Sequence, residues 1–208
     1  MGKRTSKPIA GRQPQNISRA SRCAVFLDRD GVINRSEVRD GKPYAPRRLQ
    51  DFRLLPGVVS AIHDLKQAGL LVIVVTNQPD IDNGLVDAAV VDAMHEKLRQ
   101  VSSIDDVLVC PHRQDAGCRC RKPRPGMLIK AAEKWKINLK KSFVVGDRWG
   151  DIVAGQEAGC YNIFINRHYK ETRQINADSR AASLPAAARL IVSLIKKSVQ
   201  SKRGNHKT

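Results

Sequence analysis

Asp28 and Asp30, in Phe26-Leu27-Asp28-Arg29-Asp30-Gly31, place two carboxylates two residues apart at the end of an apolar run. In extended backbone such residues face the same way, so two like charges are held close together. That arrangement suits a divalent cation that offsets the repulsion, or a nucleophile beside a proton carrier. A third carboxylate, Asp147, also follows an apolar run. It would complete an oxygen-rich site of the kind Mg²⁺ takes. Taken alone, Asp28 and Asp30 fit turn residues or helix caps equally well, since Asp is common at strand ends.

Further residues extend the pattern towards phosphate chemistry. Thr76 ends another apolar run, in Thr76-Asn77-Gln78, with a hydroxyl able to donate to a phosphate oxygen, and Lys122 adds a fixed positive charge in Cys120-Arg121-Lys122-Pro123. Gly146-Asp147-Arg148-Trp149-Gly150-Asp151 sets acids beside a tight turn. Phosphoryl transfer needs a nucleophile, a cation and groups that neutralise the equatorial oxygens. Each is represented.

Cys110-x-His112 followed by Cys118-x-Cys120 offers three thiolates and an imidazole. That is the number and softness of ligands tetrahedral Zn²⁺ selects, and four protein ligands leave no open position, so the site is expected to be structural. Five cysteines are an odd number, three of them crowded into this loop, which fits metal binding in a reducing compartment better than a disulfide framework. Cys23 and Cys160 sit within apolar runs and read as core; His63, His95 and His168 read as surface or helix residues.

The elements that must position these groups follow from periodicity. Apolar runs at Cys23–Leu27, Leu70–Val75, Val107–Val109, Phe143–Val145 and Tyr161–Ile165 alternate with helical stripes. The stripes are Val58/Ala61/Ile62/Leu65, Val90/Met94/Leu98/Val101, Met127/Leu128/Ala131/Trp135 and Leu184/Ala187/Ile191/Leu194. Strands alternating with helices predict an α/β fold, a parallel central sheet sandwiched between helical layers. In such sheets ligands bind beyond the carboxyl ends of the strands, where Asp28 and Asp30, Thr76-Asn77-Gln78, Cys110-Pro111-His112 and Gly146-Asp147 fall. Only 45 residues separate Thr76 from Lys122, and a helix, a strand and the thiol loop already fill them, so the site is expected to be capless.

Length and charge set the outer limits. The chain has 208 residues, 41% of them hydrophobic, enough for one domain with a core. No run approaches the roughly 20 apolar residues of a membrane helix, and no secretory signal is apparent, so a cytoplasmic enzyme acting as a monomer is expected. The formal charge of +17 is concentrated at the ends. Residues 1–22 hold six basic residues and residues 196–208 hold five, neither with an acid. Both read as basic flexible tails around a domain spanning 23–195.

The ordered set Asp28-x-Asp30, Thr76, Lys122 and Gly146-Asp147 resembles the haloacid dehalogenase superfamily of phosphatases. The wider wording Phe26–Asn34, Val75–Gln78 and Cys120–Met127 resembles its D,D-heptose 1,7-bisphosphate phosphatase and histidinol-phosphatase group, over roughly residues 23 to 195. The resemblance implies a Rossmann-like fold and a two-step hydrolysis. Asp28 would form an aspartyl-phosphate, while Asp30 would protonate the leaving alcohol and then take a proton from water. It implies Mg²⁺ on Asp28, the Asp30 carbonyl and Asp147, and a steadying role for Thr76 and Lys122. Asn77, Gln78, Arg121 and Arg148 would meet the substrate, a small phosphorylated sugar. Asp151 would either orient the metal shell or cap a helix. The group carries the same Cys/His ligand set, usually in a longer loop, and has Ala-Arg where this chain has Asp82-Asn83.

Within that group a heptose 1,7-bisphosphate is the expected substrate and histidinol phosphate its rival. A different class, a nucleic-acid binder or polynucleotide 3′-phosphatase, is suggested by the basic ends. Against it stand sparse aromatics, 4% of residues, and the absence of a base-reading motif.

Overall fold

The computed structural model describes residues 22–170 and 173–204. In chain order the elements are β1 (Ala24–Leu27), β2 (Glu37–Arg39), β3 (Lys42–Tyr44), α1 (Val58–Gln67), β4 (Leu71–Asn77), α2 (Pro79–Asp82), α3 (Ala88–Val101), β5 (Asp106–Cys110), α4 (Gly126–Trp135), β6 (Phe143–Gly146), α5 (Trp149–Glu157), β7 (Tyr161–Ile165), β8 (Ser179–Ala181) and α6 (Leu184–Gly204). All five predicted strands form, and each of the four predicted helical stripes falls on a helix.

Six strands make one parallel sheet in the order β5-β4-β1-β6-β7-β8. Period-two alternation splits the strand side chains between two cores. Val25, Leu27, Val72, Val74, Val145 and Ile163 face α1, α3 and α6, while Ala24, Phe26, Ile73, Val75 and Val144 face α4 and α5. Because both faces are covered, β1 and β6 are buried along their whole length, which is why these strands read as continuous apolar runs rather than alternating ones. β1 lies between β4 and β6, with Leu27 in register with Val74 and Val145. The chain leaves β1 for one neighbour and later returns for the other, so a crevice opens at the carboxyl end of β1.

Three departures from the sequence expectations have local causes. The exposed hairpin β2–β3 turns at Asp40-Gly41, where φ is 51° and 77°; Asp-Gly suits a turn with two left-handed residues, a signal that the surrounding charged residues obscured. On α3 the buried residues are Val91, Met94, His95 and Leu98, and Val101 is exposed, so the inner stripe lies one position over and His95 is inside. The basic segment expected to begin a flexible tail at 196 is instead the end of α6 as far as Gly204. The expected tail at 1–22 lies outside the described residues apart from Arg22, which bridges to Ile137. No helix among the described residues is long and apolar enough to cross a membrane, and none of the described residues forms a second, capping domain.

Candidate active site

Asp28 is the first residue past β1, fixed by its backbone N–H to the Val145 carbonyl at 3.0 Å. Lys122, from the loop before α4, enters from the β4 side. Its Nζ lies 2.6 Å from Asp28 Oδ1, 2.6 Å from Asp151 Oδ1 and 2.7 Å from the Val75 carbonyl. The ammonium is buried but fully paired, the condition under which a buried charge is tolerated.

Asp147 stands at the end of β6 with both carboxylate oxygens buried and the Tyr169 hydroxyl against it. Oxygens of Asp28, Asp147 and Asp151 all lie within 4.8 Å of one another. Burial pushes the Asp28 carboxyl up to about 7, the Lys122 charge opposing it and those of Asp151 and Asp30 adding to it. Burial, then the Asp28 and Asp151 charges, holds Asp147 well above the ordinary carboxylate range. Three buried carboxylates gathered in one place against a single ammonium form an oxygen donor set that fits a hard divalent cation. Gly31, at φ 88°, is what lets Asp147 sit here, since a Cβ would collide with its carboxylate.

The remaining expected residues converge on the same place. Asp30 accepts from Gln78 Nε2 at 2.6 Å and from Asn34 Nδ2 at 2.9 Å, and Arg29 faces both of its oxygens at 3.0–3.2 Å. Gln78 Nε2 also donates to Thr76 Oγ1 at 2.8 Å, so Gln78 links the two residues at the ends of β1 and β4. Asn77, expected to meet substrate, lines the same cleft and also pairs its amide with the backbone of Lys122: Nδ2 donates to the carbonyl at 3.0 Å and Oδ1 accepts the N–H at 3.1 Å. Asp151 Oδ2 accepts the Arg148 N–H at 3.0 Å, closing the N-terminus of α5. Asp151 therefore both caps the helix and pairs Lys122 beside the carboxylate group. Asp28, Asp30, Gln78, Arg121, Lys122 and Arg148 all line one cleft of about 320 Å³.

The thiol loop flanks this cleft. Cys110 Sγ lies 3.6 Å from His112 Nδ1 and 3.6 Å from Cys118 Sγ, and Cys120 Sγ lies 3.2 Å from His112 Nδ1 and 3.5 Å from Cys118 Sγ. These are the edges of a tetrahedron around a metal with bonds of about 2.0–2.3 Å, and are much too long for a disulfide. The loop's position matters for Arg121, whose Nη1 lies 3.5 Å from the His112 carbonyl. Asp82, which stands where the resembling group has Ala, accepts the Arg113 N–H at 3.1 Å and ties α2 to this loop. On the rim, Arg47 and Arg48 are held by Asp80 and Asp51.

Sequence reasoning missed Arg29, Asn34 and His95. His95 was legible, because it falls four residues after Val91 and three before Leu98, both on the buried face of α3. Arg29 and Asn34 lie in irregular backbone after β1, where no periodicity says which way a side chain turns.

The comparisons with known proteins agree with this geometry. A family model described as haloacid dehalogenase-like hydrolase matches residues 33–159. The chain belongs to that family. Among curated relatives, the D-glycero-beta-D-manno-heptose-1,7-bisphosphate 7-phosphatase of Pseudomonas aeruginosa is 39% identical over 70% of this chain and 82% of its own, and that of Pseudomonas putida is 40% identical over 68% and 81%. Among solved structures, D,D-heptose 1,7-bisphosphate phosphatase from B. bronchiseptica, complexed with magnesium and phosphate, superposes with a TM-score of 0.73 and 31% identity over 82% of this chain and 98% of its own. This member of the hydrolase family is a phosphatase, a phosphoric monoester hydrolase.

Proposed function

We propose that the protein removes the 7-phosphate of a D-glycero-D-manno-heptose 1,7-bisphosphate through an aspartyl-phosphate on Asp28. What carries the reading is the meeting of Asp28, Lys122 and the buried Asp147 carboxylate at the carboxyl end of β1, in a chain 39% identical to an enzyme of that name. An Asp28 oxygen attacks phosphorus while the bond to the sugar oxygen breaks, and Asp30 gives that oxygen its proton. Water then attacks the phosphoryl group, leaving its proton on Asp30, and the Asp28 carboxylate is regenerated. Lys122 neutralises charge on Asp28 and on the transferring group, and Thr76 donates to a phosphoryl oxygen. Gln78 holds Asp30 and Asn77 holds Lys122, while Arg121 and Arg148 meet the rest of the substrate.

The carboxylates of Asp28 and Asp147 with the Asp30 carbonyl would hold Mg²⁺, and Cys110, His112, Cys118 and Cys120 a structural Zn²⁺. Mg²⁺, when bound, supplies positive charge against the phosphoryl oxygens. The protein is taken as a monomer, and a zinc-binding thiol set suits the reducing cytoplasm. The catalytic unit is taken as residues 23–195.

The test is phosphate release from both anomers of the heptose bisphosphate and from histidinol phosphate. A kcat/KM favouring the heptose supports the proposal; a preference for histidinol phosphate replaces it. The polynucleotide reading finds no support among the described residues, where the cleft is small and bordered by Asp28, Asp30, Asp80 and Asp151.

A further inference from the structure

Helix α3 sends one polar side chain into the core. His95 is 2% exposed, and its Nε2 lies 3.1 Å from Arg29 Nη1. A guanidinium has donors only, so Nη1 donates and Nε2 is the unprotonated ring nitrogen. Burial, followed by the charges of Arg29 and Arg99, pushes the imidazolium pKa down to about 4 against an opposing pull from Asp30, which keeps the ring a neutral acceptor near pH 7. Arg29 is itself wholly buried, at 0% exposure, with Phe52 stacked 5.6 Å from its Cζ. Its Nε and Nη2 both face the Asp30 carboxylate.

Arg29 sits in the bend just past β1, and its guanidinium lies against the carboxylate of the very next residue. His95 takes the Nη1 end while Asp30 takes the Nε/Nη2 edge, so the plane of the guanidinium is fixed from two sides. The remaining described partners of Asp30, Asn34 and Gln78, fix one oxygen each. An apolar residue at this position on α3 would leave Nη1 of the wholly buried Arg29 without its acceptor; the histidine that supplies it holds the guanidinium facing the Asp30 carboxylate.

We propose that His95 is a positioning residue for Asp30, acting through the buried Arg29 guanidinium. This rests on Asp30 being the proton donor of the proposed reaction. A group that aims a proton donor matters only when the leaving group needs a proton. A sugar alkoxide needs one; 4-nitrophenolate does not.

The experiment compares kcat/KM for the heptose bisphosphate and for 4-nitrophenyl phosphate in D30N, H95L, H95Q, R29K and the R29K/H95L pair. General acids contribute about 10²–10⁴-fold, and a misaimed one is expected to lose roughly the first tenfold of that. H95L should therefore lose about tenfold on the sugar phosphate and less than about twofold on the nitrophenyl ester. H95Q, whose Oε1 can accept from Arg29, should recover most of the loss, and H95L should add nothing in the R29K background. Equal losses on both substrates, no recovery in H95Q, or an undiminished H95L effect in R29K would each overturn the proposal. If H95L does not fold, H95N, whose shorter amide falls short of Arg29, takes its place under the same criteria. D30N separates the two levels. If D30N shows the selective loss and H95L does not, only the positioning role fails; if D30N loses equally on both substrates, the proton-donor reading fails and the positioning role with it.

Discussion

Asn77 and Lys122 are joined by two hydrogen bonds, side-chain amide to backbone, 3.0 Å and 3.1 Å long, across 45 residues of sequence. The loop that carries the active-site ammonium is thereby fastened to the end of β4. Asn77→Ala leaves a backbone N–H and a carbonyl without their partners, which costs about 1–3 kcal/mol. A urea titration should show a lower midpoint with an unchanged slope. Phosphatase kcat should fall by more than the stability loss alone would suggest, because Lys122 is no longer aimed at Asp28.

A cation should alter how stability responds to pH. Burial raises Asp28 to about 7 and Asp147 well above the ordinary range. A carboxyl whose pKa is higher folded than unfolded stabilises the fold fully below about pH 4. That contribution is lost as pH rises through the folded value. For Asp28 the window is therefore about pH 4 to 7. Mg²⁺ binds the ionised carboxylates, so the gain in Tm on adding it should be larger at pH 8 than at pH 5. Equal gains at both pH values would mean that these carboxylates are not its ligands. Asp147→Asn should abolish the gain.

Removing one sulfur ligand tests the thiol loop. Cys118→Ser leaves three good ligands, and bound zinc should fall from about one per chain to well below it. In the unaltered protein, replacement by Co²⁺ should give the intense visible bands of a tetrahedral thiolate site. Because the His112 carbonyl lies against Arg121, the variant's KM for the bisphosphate should rise by about tenfold, with kcat less affected. A variant that keeps its zinc, or keeps KM unchanged, would separate the loop from the substrate.

Much of this was legible in the sequence, for reasons visible in particular residues. Val25 and Leu27 face one core and Ala24 and Phe26 the other, so a run apolar at every position marked a strand covered on both sides. The acids stand just past such runs, and strand ends in a parallel sheet share one edge, so Asp28 and Asp147 could be brought together from the sequence. What stayed hidden depends on where a side chain turns outside regular backbone. Asn77, the last residue of β4, lines the cleft as a substrate contact would, but no periodicity says that its amide also matches a backbone segment 45 residues away. Arg29 turns back on its neighbour because of a histidine on another helix. The basic run after Ile195 read as a flexible tail, and as far as Gly204 it continues α6.

The central claim is that Asp28 becomes covalently phosphorylated. Protein stopped in mid-turnover with the heptose bisphosphate and Mg²⁺, then reduced with borohydride, should carry the reduction product of an aspartyl-phosphate on the peptide containing Asp28, and Asp28→Asn should neither acquire that mark nor release phosphate. Turnover by Asp28→Asn, or a working enzyme whose Asp28 peptide is never modified, would contradict the account.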